Sequence, residues 1–303
     1  MIKAITVINH LGDKLRMDLT RPDLSGFVVK PIQGLGPVKA NVNTVKSALH
    51  DGATFNSVYL DQRSIVLNLE FYYWAKESIE ELRQKTYQYF PQKRMVKLVI
   101  ETDKHTVETE GYVEANEPDI FSKNEGTAIT ILCPDPNLYS TEETVTVFSG
   151  VVAMFESPID DGFLVEDPSE FGSIFNKTEN FIYYDGDVDN GLTIEIHAVG
   201  DASNVTIYNT RTREKMHIDT TVLQTMTGYE IKNGDHITIV SSDKRKTITL
   251  MRDGVETNIF NCLDRDTDWF MLTRGDNVFA YVAEKGSENL QFRMLNKVAY
   301  GGI

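Results

Sequence analysis

The residues whose types and spacing come nearest to a ligand set are Asp185-Gly-Asp187-Val-Asp189-Asn190-Gly191. Carboxylate oxygens at alternate positions can hold Ca²⁺, and the run fits the first three ligand positions of the loop D-x-[DN]-x-[DN]-G-x₅-E. Asn190 stands where that pattern needs glycine, and Ile196 where it needs the bidentate glutamate. An acidic hairpin turn accounts for the same residues, so Asp185, Asp187 and Asp189 are a weak calcium candidate and no cofactor is expected. The histidines at 10, 50, 105, 197, 217 and 236 show neither HExxH nor HxH spacing, and Cys133 and Cys262 lie in different halves. A zinc site has no support from that pattern. Gly34 and Gly36 are not followed by GxGxxG or GxxxxGK[ST], and no G-x-S-x-G is present, which leaves phosphate-loop and serine-nucleophile chemistry without a motif. Among 45 Asp and Glu some pair must lie close together, so a glycosidase dyad is open in principle. Trp74, Trp269, Phe270 and Tyr281 could present flat faces to a pyranose, with core or interface anchoring as the competing reading.

The elements that would position such residues are mostly strands. The stretch Asp51–Phe90 organises the first half. In Ser64–Phe71, Ile65, Leu67, Leu69 and Phe71 alternate with Ser64, Asn68 and Glu70, Val66 being the exception, as in a strand with one buried face. Burying four such side chains contributes roughly 1.5–3 kcal/mol each, which predicts a central strand. Ser78-Ile-Glu-Glu81 then matches a capping box, and Ile79, Leu82, Thr86 and Phe90 fall near one face before Pro91, predicting one helix. Residues 2–8, 15–19, 95–101, 107–113 and 128–133 read as further strands.

Pro134-Asp-Pro136 and the change of character over 134–150 mark a boundary, giving a first domain at 1–140 and a second at 141–303. In the second, turn signals at Asp185-Gly186, Asn190-Gly191, Asn233-Gly234, Asp253-Gly254 and Arg274-Gly275 separate short alternating strands. Asn233-Gly234, between Tyr229–Ile231 and His236–Val240, signals a hairpin. The expectation is a mainly β chain: an N-terminal antiparallel β domain with one α-helix, then a β-sandwich without helix.

Of the net charge of −15, residues 1–140 carry −2 (16 Lys and Arg, 18 Asp and Glu) and residues 141–303 carry −13 (14 and 27). An acidic second half repels nucleic acid. The longest apolar run, Val151–Phe155, is too short to span a bilayer, and no secretory pattern opens the sequence, so a soluble protein without membrane contact is expected. Two unpaired, buried thiols suit a reducing compartment.

In order and spacing the pieces resemble the distal tail proteins (Dit) of long-tailed, siphovirus-type phages of Gram-positive bacteria. The resemblance rests on Gln33-Gly-Leu-Gly-Pro37, Asp51-Gly-Ala53, Arg63-Ser-Ile-Val-Leu67, the capped helix, and Cys133-Pro-Asp-Pro-Asn-Leu-Tyr139. It continues through Asn190–Ile196, Gly234–Ile239, Leu272–Asn277 leading to Tyr281, and Tyr300-Gly-Gly-Ile303. It implies a ring-forming first domain, a peripheral galectin-like β-sandwich, and a hexameric hub in the virion tail tip, made in the host cytoplasm. The implied partners are further copies of the chain, the major tail tube protein, the tail-associated tip protein and receptor-binding proteins, with DNA passing through the lumen without specific binding. It implies no enzymatic activity. Family members with receptor-binding baseplates can carry an extended arm in the sandwich, and no long insertion of that kind is seen here. On this reading the outward positions Ser64, Asn68, Glu70 and Arg83 are candidate ring contacts. The competing hypotheses are a carbohydrate-binding module for cell-wall polysaccharide, gripping through Trp269, Phe270 or Tyr281, and a glycosidase.

Overall fold

The structure, a computed structural model, describes residues 1–46, 51–121, 125–153, 172–176, 179–242 and 244–303; His50 lies outside them. The chain forms two compact units, one of residues 1–142 with 299–303, the other of residues 143–298.

In the first unit the strands are β1 (Ile2–Ile8), β2 (Lys14–Asp18), β3 (Phe27–Val29), β4 (Ala40–Val45), β5 (Thr54–Leu60), β6 (Arg63–Phe71), β7 (Met95–Thr102), β8 (Thr106–Asp119), β9 (Gly126–Cys133) and β10 (Leu138–Ser140). The helices are the short α1 (Pro22–Ser25) and α2 (Ile79–Tyr89). An antiparallel sheet runs β2-β1-β7-β8-β9-β6-β3, and β10 pairs both with β8 and with Ala299–Tyr300. β6 lies between β9 and the three-residue β3, one strand in from an edge and not central as its alternation suggested. The alternation itself is correct: Ile65, Leu67, Leu69 and Phe71 are buried and Ser64 is exposed. α1 connects β2 to β3 and touches both, so the two ends of the sheet are not left as open edges.

α2 starts at the anticipated box. The Ser78 hydroxyl accepts from the Glu81 amide at 3.2 Å, and the Glu81 carboxylate accepts from the Ser78 amide at 2.7 Å. These bonds to Ser78 hold the Glu81 carboxyl below the usual carboxylate range. The helix inserts Leu82, followed by Phe90, into the same cluster as Ile65, Leu67, Leu98, Ile100 and Ile129.

In the second unit the strands are β11 (Thr144–Val147), β12 (Ser149–Ala153), β13 (Gly172–Asn176), β14 (Glu179–Tyr184), β15 (Asn190–Ala198), β16 (Ser203–Asn209), β17 (Glu214–Ile218), β18 (His236–Ser241), β19 (Lys246–Arg252), β20 (Val255–Asn258), β21 (Met271–Leu272), β22 (Gly275–Lys285) and β23 (Leu290–Asn296). One sheet runs β11-β23-β15-β18-β19-β20, with β21 on β15; a second runs β14-β22-β16-β17. Ile194, Ile196, Ile237, Ile239 and Ile248 of the first meet Val205, Ile207, Phe279 and Tyr281 of the second in one core. This is a β-sandwich. β12 and β13 form a separate ribbon.

Two expectations for this unit fail. Thr220–Thr227 is a helix, α3: Asp219 accepts from the Thr221 and Val222 amides, Leu223 is buried, and Gly228 closes the end at φ +87°. Its Thr-rich composition reads as strand, and the cap overrides that propensity. Asn233-Gly234 does not join two paired strands. The Gly234 amide donates to Ala198 O, Ile231 makes only an isolated bridge to Ala202, and β18 pairs with β15 and β19. Asp235, 1% exposed, fixes this turn by accepting from the Lys232 amide and from Arg252, whose Nη2 is 2.5 Å away. Asp253-Gly254 is a true two-residue hairpin turn, both residues having positive φ, between β19 and β20. Cys133 and Cys262 are free and buried, and burial raises both thiol pKa values.

Leu67 is 1% exposed within the first unit's core. Leu67→Asp loses its apolar contacts and buries an unpaired carboxylate, a cost of at least about 4 kcal/mol. The expected outcome is loss of the first unit's melting transition with the second unit's retained, read by calorimetry and near-ultraviolet circular dichroism. A fully folded variant would mean that the strand faces the other way.

Candidate functional site

The first unit's main chain leaves its sheet after Pro37 and returns at Asp61, and between these points β4 and β5 form a two-stranded ribbon. Ala40 faces Leu60, Val42 faces Val58 and Thr44 faces Phe55, with a bulge between Asn43 and Thr44. No residue of either strand is buried. Val42, Val45, Phe55, Val58, Tyr59 and Leu60 are 57%, 61%, 61%, 53%, 57% and 47% exposed. An isolated hairpin with apolar side chains in water is marginal, so this ribbon is the unit's least self-sufficient element.

Its base is held by Arg63. This side chain occupies the buried phase of β6 and is 1% exposed. Nε donates to Pro136 O at 2.7 Å, Nη1 to Gly34 O at 2.6 Å and Gly36 O at 2.8 Å, and Nη2 to Gly301 O at 2.6 Å. Among the described residues it forms no ion pair. Burial lowers its pKa, and Asp135 nearby offsets part of that; a guanidinium stays charged across the working pH range. The loop entering the ribbon is fixed by close approach as well. Gly34 has φ +86°, and a Cβ there would lie 1.9 Å from Ser64 O. The Ile303 amide donates to Leu35 O at 3.0 Å, and a Cβ on Gly302 would lie 2.8 Å from the Gly36 carbonyl carbon. Thus 33–37, 63–67, 134–139 and 300–303, separate pieces of the sequence, meet on one guanidinium. Arg63 was not among the candidates, although its place two residues before Ile65 put it in phase with the buried face.

The four outward candidates are dispersed. Asn68 donates to Pro31 O at 3.0 Å, and Glu70 pairs with Lys30 at 2.7 Å, so both serve β6 and the segment flanking β3. Ser64 is exposed on the same strand. Arg83 lies on α2, which packs over the opposite, buried face of β6, and its guanidinium has no partner among the described residues.

The other candidates need correction. Among the described residues no three His, Cys, Asp or Glu side chains come together to hold a metal ion, so Asp185, Asp187 and Asp189 do not assemble a calcium site. Asp185 instead lies 3.9 Å from Arg274. Phe270 and Tyr281 cannot stack on a sugar, because they are 0% and 1% exposed. Phe270 meets Phe279 edge to face, and Tyr281 stacks on Phe292 with centroids 3.9 Å apart. Both belong to the buried core of the sandwich. Trp269 is partly buried against the core and stacks with Phe260. Trp74, next to Tyr73, is 77% exposed.

Residues 185–294 match the model of the family described as "SPP1_Dit: Siphovirus-type tail component, C-terminal domain". The match covers about a third of the chain and makes residues 185–294 similar to the C-terminal domain of that tail component. No curated protein matches the chain. Among solved structures it is similar to the crystal structure of the Dit protein (gp 19.1) of phage SPP1, described as a paradigm of the hub adsorption apparatus in phages infecting Gram-positive bacteria. That likeness covers 97% of this chain and 99% of that one at 12% identity, with a TM-score of 0.63. A chain of the phage P2 baseplate in its activated conformation matches at 13% identity over 98% and 99% of the two chains, TM-score 0.46. The family match lies wholly within the sandwich, from the end of β14 to β23. The likeness in fold to SPP1 Dit, covering 97% of the chain, takes in the first unit as well.

Arg63→Met is expected to destabilise the first unit by about 3–5 kcal/mol, since the buried carbonyls lose their donor. Arg63→Lys should recover only part, an ammonium lacking the planar reach to all three segments. Hydrogen exchange is the discriminating measurement: protection at Val66, Gln33 and Ile303 should fall before that of β7 and β8. Uniform loss across the unit would show that Arg63 has no special hold on the ribbon base.

Proposed function

We propose that the chain is a structural component of a phage tail hub, assembling through its first unit into a hexameric ring that joins the tail tube to the tail tip or baseplate. The observation that carries this reading is the β4–β5 ribbon, an element with apolar side chains on both faces and no cover from its own unit. A neighbouring copy of the chain is the cover that a ring supplies. The near-neutral first half suits close packing of like subunits, whereas the more acidic second half suits a solvated periphery. The match of residues 185–294 to a siphovirus tail-component domain, and the likeness in fold to a phage hub protein, support the hub role.

On this reading the direct partners are further copies of the same chain, the major tail tube protein and the tail-associated tip protein, at the virion tail tip after assembly in the host cytoplasm. DNA passes the lumen without specific binding, and the protein does no catalysis. Receptor-binding proteins attach where a baseplate carries them.

Mass measurement by light scattering tests the ring. The expected result is a species of six times the chain mass, alone at high concentration or with tail partners. Phe55→Asp with Val58→Asp should give a monomer with an unchanged melting temperature, because neither side chain packs into the core. Monomers of the unaltered chain under every condition, or a hexamer that ignores both substitutions, would defeat the proposal.

A further inference from the structure

The second unit carries a cleft of its own, apart from the ribbon of the first unit. It is lined by Phe260, Asn261, Leu263, Asp264, Arg265, Thr267 and Trp269, with a volume of 400 Å³, within the roughly 300–1,000 Å³ of ordinary ligand sites. Its walls come from the 3₁₀ turn Phe260–Cys262 and the loop that follows.

This loop is fixed from both ends. The Cys262 carbonyl accepts from the Asp219 amide at 2.8 Å, Leu263 bridges Ile218, and the Asp268 amide donates to Lys215 O at 2.9 Å. The Asp268 carboxylate returns a bond by accepting from the Lys215 amide at 3.0 Å. The Thr267 amide closes the loop onto Asp264 O at 3.2 Å. A rigid loop loses little entropy on binding.

Its chemistry is divided between a flat apolar surface and idle polar groups. Phe260 lies over Trp269, centroids 5.8 Å apart and planes 22° from parallel. Trp269 is wedged against the core, with Lys246 Nζ 6.0 Å from its ring centroid. Phe260 remains 46% exposed, so it is the platform and Trp269 its backing. Among the described residues the side chains of Asn261, Asp264 and Arg265 make no hydrogen bond or ion pair. Thr267 Oγ1 is buried and has no partner either.

We propose that this cleft binds one residue of a neutral polysaccharide, the sugar ring lying on Phe260. A pyranose has an apolar C–H face and a rim of hydroxyls, each both donor and acceptor. Phe260 meets the first, and the Asn261 amide, the Asp264 carboxylate and the Arg265 guanidinium meet the second. Charge argues against the other flat or polar ligands of similar size. A unit carrying most of the net charge of −15 repels nucleotides and polyphosphates, whereas a neutral glycan meets no such barrier. The cleft is built from the second unit alone and the ribbon from the first, so the site stands or falls independently of ring formation.

The test is binding of the full-length chain to an array of neutral hexose and N-acetylhexosamine oligosaccharides, with poly(glycerol phosphate) and oligodeoxythymidine as polyanions. Hits are then followed by calorimetry. At least one neutral oligosaccharide should bind, and Phe260→Ala and Asp264→Ala should each weaken it roughly tenfold, the size of one good contact. Both residues are at the surface, so melting temperature should not change; Trp269→Ala is avoided because that ring packs on the core. No neutral ligand at millimolar concentration, binding indifferent to both substitutions, or binding of polyanions alone would each overturn the assignment.

Discussion

One buried cation holds the first unit's outer loops to its sheet. A charge in an apolar interior is costly unless its hydrogen-bonding capacity is met, and Arg63 meets it with main-chain carbonyls rather than a carboxylate. The choice of acceptor has consequences. A carboxylate would tie Arg63 to one side chain, free to move with its own loop. Carbonyls of Gly34, Gly36, Pro136 and Gly301 tie it to the path of the backbone in three separate segments. No other side chain can do this, because only guanidinium offers five donors in a fixed plane. Because Gly34 and Gly36 lead into β4 while Arg63 follows β5, the guanidinium sets the direction in which the ribbon leaves the unit.

A second arginine does comparable work in the sandwich by a different route. Arg252 pairs with the buried Asp235 and also donates to Glu230 O and Thr227 Oγ1. It thereby links the end of β19 to α3 and to the turn before β18. The bond to Asp235 outweighs burial and raises its pKa, whereas burial with no paired carboxylate lowers that of Arg63. Both arginines order irregular backbone that regular strands cannot order, and each does so beside a turn whose glycine, Gly34 or Gly234, has positive φ.

Much of the fold was legible because its signals are local. The β6 alternation, the Ser78–Glu81 box and most strands of the sandwich depend on neighbours within a few residues, and local physics decides them. What was not legible depended on distant partners. Thr220–Thr227 is helical because Asp219 caps it and Leu223 finds the core, against the propensity of its threonines. Asn233-Gly234 has hairpin chemistry, yet Ile231 finds Ala202 and not β18. Phe270 and Tyr281 look like Trp269 in sequence; only their partners inside the sandwich, Phe279 and Phe292, make them core. The convergence on Arg63 joins positions up to 238 residues apart, and periodicity carries no information about such a meeting. Ser64, Asn68 and Glu70 were correctly placed on the outer face, but facing outward does not make a residue free: Asn68 and Glu70 find partners beside β3.

The ribbon raises a question of energy that closure of the proposed ring would answer. Six large side chains stand about half exposed. Covering what remains contributes on the order of 1 kcal/mol for each, several kcal/mol for one contact. Bringing two chains together costs roughly 4–15 kcal/mol in lost freedom, so a single ribbon contact is too weak to make a lasting dimer. A closed ring changes the count. A ring of n subunits has n contacts but loses the freedom of only n − 1 bodies, so the last contact forms without that cost. In the ring we propose, each chain both gives a ribbon and receives one, and no open pair can do both at every site. Weak ribbon contacts therefore favour either single chains or complete rings and disfavour what lies between. That requires the ribbon to leave every subunit at the same angle, which is what a guanidinium bonded to both sides of its base provides.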